Sequence, residues 1–444
     1  MSTATSYPGV YIEEDASPSI SVSNAPTAVP VFIGTFALAS GAALTASQCI
    51  RISNWLEFSS KYSFDPVVSV AITSTAAKSE DDEESGNLTA GYTYSYTVTV
   101  NRNSSLDVQI YFQNGGGPCY ILPILNQSNT AELNALASAI QKENDITLLV
   151  PVGEPGNFDS YLNPLLTSGY GYFYITSSAD GRAVPATQPD QTAVYYPTLM
   201  TSYTLSRPAD SLISVTGYKN DAGNSVSNMA DLSRYDSATY ATVSEGIDAK
   251  LASTVVLLAN SAMAGIYCST DAKRGVWKAP ANVTLSGTTG VSAVVTDDFN
   301  GTMNSAGINA IRSFVNRGTV VWGARTLAGT SSGDTSWRYI PVRRLFNSAE
   351  RDIKKSMQTM VFEPNNQPTW EKVRAAIENY LHTLWTQGAL AGATPKDAYF
   401  VQIGEGVTMS ADDIAQGKMI ATVGMAAVRP AEFIILQFTQ NMSL

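Results

Sequence analysis

Between residues 106 and 200 the apolar positions switch repeatedly between short unbroken runs and stripes spaced by three and four. Leu106, Ile110 and Tyr111 share one helix face, which Gly115-Gly116-Gly117 terminates, and Tyr120-Ile121-Leu122-Pro123-Ile124 then reads as a strand. Leu133, Leu136 and Ile140 form the next helical stripe, and residues 146–150 make a strand of the fully buried kind. A helix over Asp159–Leu166 and a strand over 172–175 follow. Strands that alternate with helices predict a parallel sheet covered by those helices.

Other patterns bracket this stretch. Val31-Phe32-Ile33-Gly34 is a compact apolar strand, and Asn54 is placed to cap a short helix carrying Trp55 and Phe58. Residues 74–104 read as a β-rich insertion: the acidic run Glu80-Asp81-Asp82-Glu83-Glu84 lies in a Ser/Gly-rich loop. Tyr92-Thr93-Tyr94-Ser95-Tyr96-Thr97-Val98-Thr99-Val100 then alternates as a surface strand does. Residues 202–250, polar and turn-rich around Asp221-Ala222-Gly223-Asn224, read as a second insertion. In the last globular stretch, 280–430, the clearest helix spans 369–387, with Trp370, Val373, Ile377, Leu381 and Leu384 on one stripe and Gly388 ending it. Both ends are extended. Residues 1–28 hold a short β-prone stretch followed by prolines and serines, and 431–444 hold the strong strand signal Phe433-Ile434-Ile435-Leu436. The expected fold is therefore α/β and α+β multidomain, with mixed sheets flanked by helices, β-rich inserted segments and extended N- and C-terminal arms. A middle α/β domain is expected over 105–279.

Composition narrows the function. Only 15% of the residues are charged against 44% hydrophobic, where roughly a quarter charged is usual for a soluble protein. Such a surface suits a chain that covers much of itself with partners. The net charge of -11 argues against direct nucleic-acid binding, which needs a basic face. Cys49, Cys119 and Cys268 lie far apart, so neither a disulfide framework nor a zinc site is expected and a reducing cytoplasm fits. The opening MSTATSYPGVYIEE is no signal peptide, and no apolar run approaches the roughly 20 residues that span a bilayer, so no membrane insertion is expected.

Catalytic signals are weak throughout. The single histidine, His382, lies about 140° from the centre of its helix's apolar stripe and reads as solvated. Gly417-Lys418 lacks the upstream glycine and following hydroxyl of a phosphate loop, Gly404-Glu405-Gly406 lacks a third glycine, and Gly115–Gly117 reads as a cap. Asp297-Asp298 and Asp412-Asp413 read as loop or helix N-terminal acids. No catalytic residue, metal site or cofactor is expected.

The positive signal is a resemblance. Pro8-Gly9-Val10-Tyr11-Ile12-Glu13-Glu14 resembles the opening of the contractile tail sheath proteins of phages, R-type bacteriocins and extracellular injection systems. Phe112-Gln113-Asn114-Gly115-Gly116 with Cys119-Tyr120-Ile121 is similar to a junction of that family, as is Ala264-Gly265-Ile266-Tyr267 leading to Gly275-Val276-Trp277-Lys278-Ala279-Pro280-Ala281-Asn282. Ile308-Asn309-Ala310-Ile311-Arg312, Val321-Trp322-Gly323-Ala324-Arg325-Thr326-Leu327 and Trp337–Leu345 follow in the family's order. So do Phe362-Glu363-Pro364-Asn365, Trp370 and Gly388-Ala389-Leu390-Ala391-Gly392. The two inserted segments match nothing in the family and fit external decorations.

The resemblance implies a structural subunit, not an enzyme. It would polymerise as rings or a helix around an inner tube protein and contract to drive the tube through a target envelope. Baseplate and terminator or cap proteins, and sheath paralogues, would be its other partners. The product would be made in the cytoplasm and released within a phage tail or tail-like particle. Residues 29–73 and 280–430 would form the inner domain. Tyr7, Pro8, Gly9, Val10, Tyr11, Ile12 and Glu13, with Glu432, Phe433, Ile434, Ile435 and Leu436, would be arm strands that add to sheets of neighbouring subunits. The basic cluster Arg343, Arg344, Arg351, Lys354 and Lys355 would contact the tube, with intrachain pairing to Glu350 and Asp352 as the competing role. The alternatives are a soluble α/β enzyme with an unrecognised site, or another phage-like structural protein.

Overall fold

The computed structural model describes residues 21–76, 91–153, 158–220, 222–330 and 335–432. The chain parts into two units: Pro26–Asn347 with Arg429–Leu444, and Met1–Ala25 with Ser348–Val428.

An eight-stranded sheet organises the larger unit. Its strands lie in the order Gly318–Val321, Ile308–Phe314, Thr192–Tyr196, Phe173–Ser177, Leu148–Pro151, Pro30–Gly34, Cys119–Pro123 and Ile50–Ile52. The six inner strands run parallel, and the strand at each end is antiparallel to its neighbour. Strands covered on both faces need apolar residues at every position, and Pro30–Gly34, Cys119–Pro123 and Leu148–Pro151 are buried throughout. Successive residues take opposite sides. Phe32, Ile121 and Val150 join the core under the Ser105–Gln113 and Asn260–Arg274 helices. Val31, Ile33, Leu122 and Leu149 join the one under Leu136–Gln141 and Asp159–Leu166. The stripe of Leu133, Leu136 and Ile140 is buried as its spacing predicts, but it is split between two short helices that meet at Ala135.

The two inserted segments form one module. Val67–Ala76 pairs antiparallel with Tyr92–Asn101 along its whole length, and Ser214–Thr216 adds in parallel on the other side. Over 202–250, read from the sequence as a polar, turn-rich insertion, the chain forms the helices Met229–Tyr235 and Ser237–Leu251. Met229, Leu232, Val243 and Ile247 pack on Val68, Val70 and Ile72 of the sheet. Few apolar residues are needed to hold a helix on a three-stranded sheet, so composition alone conceals these helices. Their starts are local: Asn228 and Asp236 each cap a helix with a side-chain oxygen. At the root of the module, Arg102 donates to the buried carboxylate of Asp107 at 2.6 Å, and Asn103 donates to the carbonyl of Ser63 at 2.9 Å.

In the smaller unit the Gln367–Thr386 helix buries Trp370, Val373, Ile377, Leu381 and Leu384, and Gly388 (φ +83°) follows its end. It packs against Tyr399–Ile403, which forms a two-stranded antiparallel sheet with Ala421–Met425.

Candidate assembly interface

Residues able to do chemistry occupy structural posts. His382 is exposed, its Nδ1 3.4 Å from the Tyr399 hydroxyl. Asp297 and Asp298 open a helix capped by Thr296, and Asp412 and Asp413 open one capped by Ser410, where carboxylates meet unpaired N–H groups. Among the described residues no group of three or more His, Cys, Asp or Glu side chains is arranged to hold a metal ion. None of their helices is long and apolar enough to cross a membrane.

Burial pushes the Cys49 thiol up to about 12, with Glu143 adding to the effect, and pushes Cys268 up to about 11. Cys119 is raised by burial as well. The thiolate is the reactive form, so these thiols are poor nucleophiles. In the folded chain at pH 8, iodoacetamide should label Cys119 and Cys268 at least about tenfold more slowly than after unfolding. Native labelling at the unfolded rate, read by mass spectrometry, would contradict the burial.

Both chain ends are moored where they meet the described structure. The Thr27 hydroxyl donates to Asp271 at 2.5 Å, and its carbonyl accepts from Arg344 at 3.1 Å. In the smaller unit, the Ala25 N–H donates to Asp352 and Ser356 donates to the carbonyl of Ser21. At the other end Glu432 accepts from Arg325 through Nη2 at 2.7 Å and Nε at 3.1 Å, and from the Tyr339 hydroxyl at 3.2 Å. Arg325 is itself buried and donates to the carbonyl of Asn304.

A small sheet leaves edges open among the described strands. Tyr399–Ile403 and Ala421–Met425 pair only with each other among the described strands, so each leaves an outer edge. An isolated two-stranded sheet is marginal in water, and an unpaired edge is a template for another chain's strand. Val401 and Ile403 are buried under the sheet, whereas Phe400 stays half exposed.

Comparison with known proteins decides the family. A family model, the phage tail sheath C-terminal domain, matches residues 332–441. A chain of the anti-feeding prophage helical sheath in its contracted state is 39% identical, covering 99% of this chain and 100% of that one, at a TM-score of 0.70. A chain of the anti-feeding prophage baseplate structure gives the same identity and coverage at 0.69. The contracted sheath complex of the extracellular contractile injection system PVC is 38% identical over 99% of both chains, at 0.67. This chain belongs to the contractile tail sheath protein family. The comparison with curated proteins returns no match.

In this sheath protein the basic cluster is divided. Arg344 is buried against Asp271, at 2.6 Å, and lies over the Tyr267 ring. Arg343 is buried too, donating to Asn347 at 2.8 Å and lying 4.2 Å from the Trp337 ring centre. Arg351 is half-buried, and Lys354 and Lys355 are exposed. Of the expected arm residues Glu432 is described; Tyr7–Glu13 and residues 433–436 lie outside the described residues. The mooring roles of Asp271, Arg325 and Asp352 escape a reading of the sequence, because each acts on a partner far along the chain.

Proposed function

We propose that this chain is the repeating subunit of a contractile sheath, which polymerises around an inner tube and shortens to drive the tube through a target envelope. One observation carries the reading. The likeness to sheath chains of two contractile systems runs from end to end of both partners at 38–39% identity, so the whole building block is shared and not one domain of it. The work of contraction then comes from better packing between copies in the contracted lattice, with no nucleotide consumed and no catalytic site required.

The arms supply continuity. Tyr7–Glu13 from one neighbour and residues 433–436 from another, beyond the moored Glu432, would add to the two edges that Tyr399–Ile403 and Ala421–Met425 leave unpaired among the described strands, giving a four-stranded sheet from three chains. Main-chain hydrogen bonds of this kind survive a rigid rotation of subunits. Support comes from the open edges and from the moorings at Thr27 and Glu432, which pass tension into the folded units. Contact with the tube would fall to Lys354 and Lys355, which are exposed, with the half-buried Arg351, since Arg343 and Arg344 are buried. Baseplate and cap proteins would bind the two ends of the polymer. The chain would be made in the cytoplasm and leave the cell within the particle.

The test is negative-stain electron microscopy of the chain expressed alone. Long striated hollow cylinders are expected, and deletion of residues 1–16 should leave only small particles. Monodisperse small particles from the intact chain, with or without tube protein, would refute the reading.

A further inference from the structure

The turn before the Gln367–Thr386 helix holds a bulky side chain that no described residue covers. Phe362 is wholly exposed, at 102%, and its φ is +76°. A bulky L-residue pays a steric cost in that region of backbone space, and such outliers concentrate where a chain meets a ligand or partner. The turn is braced on both sides. Val361 and Glu363 donate their N–H groups to the carbonyls of Gln358 and Met360. Asn365 accepts from the Trp370 indole at 2.8 Å and donates to the carbonyl of Lys418 at 2.9 Å. The ring is thus held outward on a rigid base, beside the exposed Val361. An aromatic side chain presented this way loses little entropy on binding, which is the property of an interface anchor.

The larger unit offers a seat. A cavity of about 620 Å³ is lined by Ala281, Trp322, Ala324 and Pro430, together with Lys278 and Glu432, whose carboxylate is taken by Arg325. Trp322 and Lys278 are exposed there. We propose that Phe362 of one copy inserts beside Trp322 of another copy, bringing the exposed Glu363 next to Lys278. A docked Phe side chain buries about 150–250 Å², and Lys278 offers Glu363 a complementary charge. A knob and a hole on different patches of one surface make a heterologous contact, which propagates instead of closing into a dimer. This inference rests on the polymer-forming role proposed above and names a contact within that polymer.

Two experiments decide it. The first replaces Phe362 by glycine, which adopts positive φ without strain. The Phe362→Gly chain should melt no lower than the parent, yet need at least about tenfold more protein for half-assembly, the loss of one anchor residue. The second mixes Phe362→Cys chains with Ala281→Cys chains under oxidising conditions. A disulfide-linked pair should form in the mixture and in neither variant alone. Phe362→Gly assembling at the parent's concentration would overturn the anchor. Weakened assembly with no 362–281 cross-link would overturn the proposed seat, assigning the ring to a different partner such as the tube protein, while leaving the sheath reading intact. Failure of the parent chain to polymerise at all would overturn both.

Discussion

Replacing Asp271 with alanine should remove about 3–5 kcal/mol of folding stability, the cost of leaving a buried charge without its partner. The Arg344 guanidinium is only 3% exposed and takes both Asp271 oxygens, at 2.6 and 3.1 Å. Its remaining contacts are the Thr27 carbonyl and the face of Tyr267, 4.6 Å from the ring centre. None of these replaces a carboxylate. Tyr267 in turn bonds Tyr195 at 2.9 Å, so a displaced guanidinium disturbs the centre of the sheet as well. Urea unfolding of the Asp271→Ala chain measures the effect. Converting both partners together, as in Arg344→Met with Asp271→Leu, should recover most of the loss, since neither buried charge remains. A loss below about 1 kcal/mol for Asp271→Ala would mean that the pair behaves as a surface ion pair.

The second large effect is expected at Gly265. In an exposed helix, Gly→Ala gains about 1 kcal/mol. Here a methyl group at Gly265 would lie 2.4 Å from the carbonyl oxygen of Tyr111 and 2.9 Å from the Asn114 side chain. Both belong to the facing Ser105–Gln113 helix and its cap, so relief requires the two helices to move apart. Tight cores charge about 1–3 kcal/mol for such overpacking, and Gly265→Ala should therefore destabilise the chain where helix propensity alone predicts a gain. The sign of the change in melting temperature separates the two outcomes. An increase would show that the helices separate without cost.

The sequence by itself determined what depends on near neighbours. Unbroken apolar runs located the inner strands, because a strand covered on both faces has no position for a polar side chain. The Asn54 cap emerged for a similar reason: its side chain accepts from Glu57, three residues on. The stripe of Trp370, Val373, Ile377, Leu381 and Leu384 gave the longest helix of the smaller unit, because one turn of helix sets that spacing. The family blocks, read in order, pointed to the same sheath fold that the comparisons support.

Only the tertiary structure decided what depends on distant pairing. Ser214–Thr216 finds its partner at Ser69–Ala71, so two segments that look like separate insertions are halves of one module. The Arg343–Lys355 run reads as one basic patch, yet Arg344 belongs to Asp271 and Arg343 to Asn347, while Lys354 and Lys355 face solvent. Glu432, read as the first residue of a free arm, is fixed by Arg325 from more than a hundred residues away. Local spacing sets backbone conformation and the face a side chain takes. Which charges meet is set by how those faces pack, and that information lies between segments rather than within them.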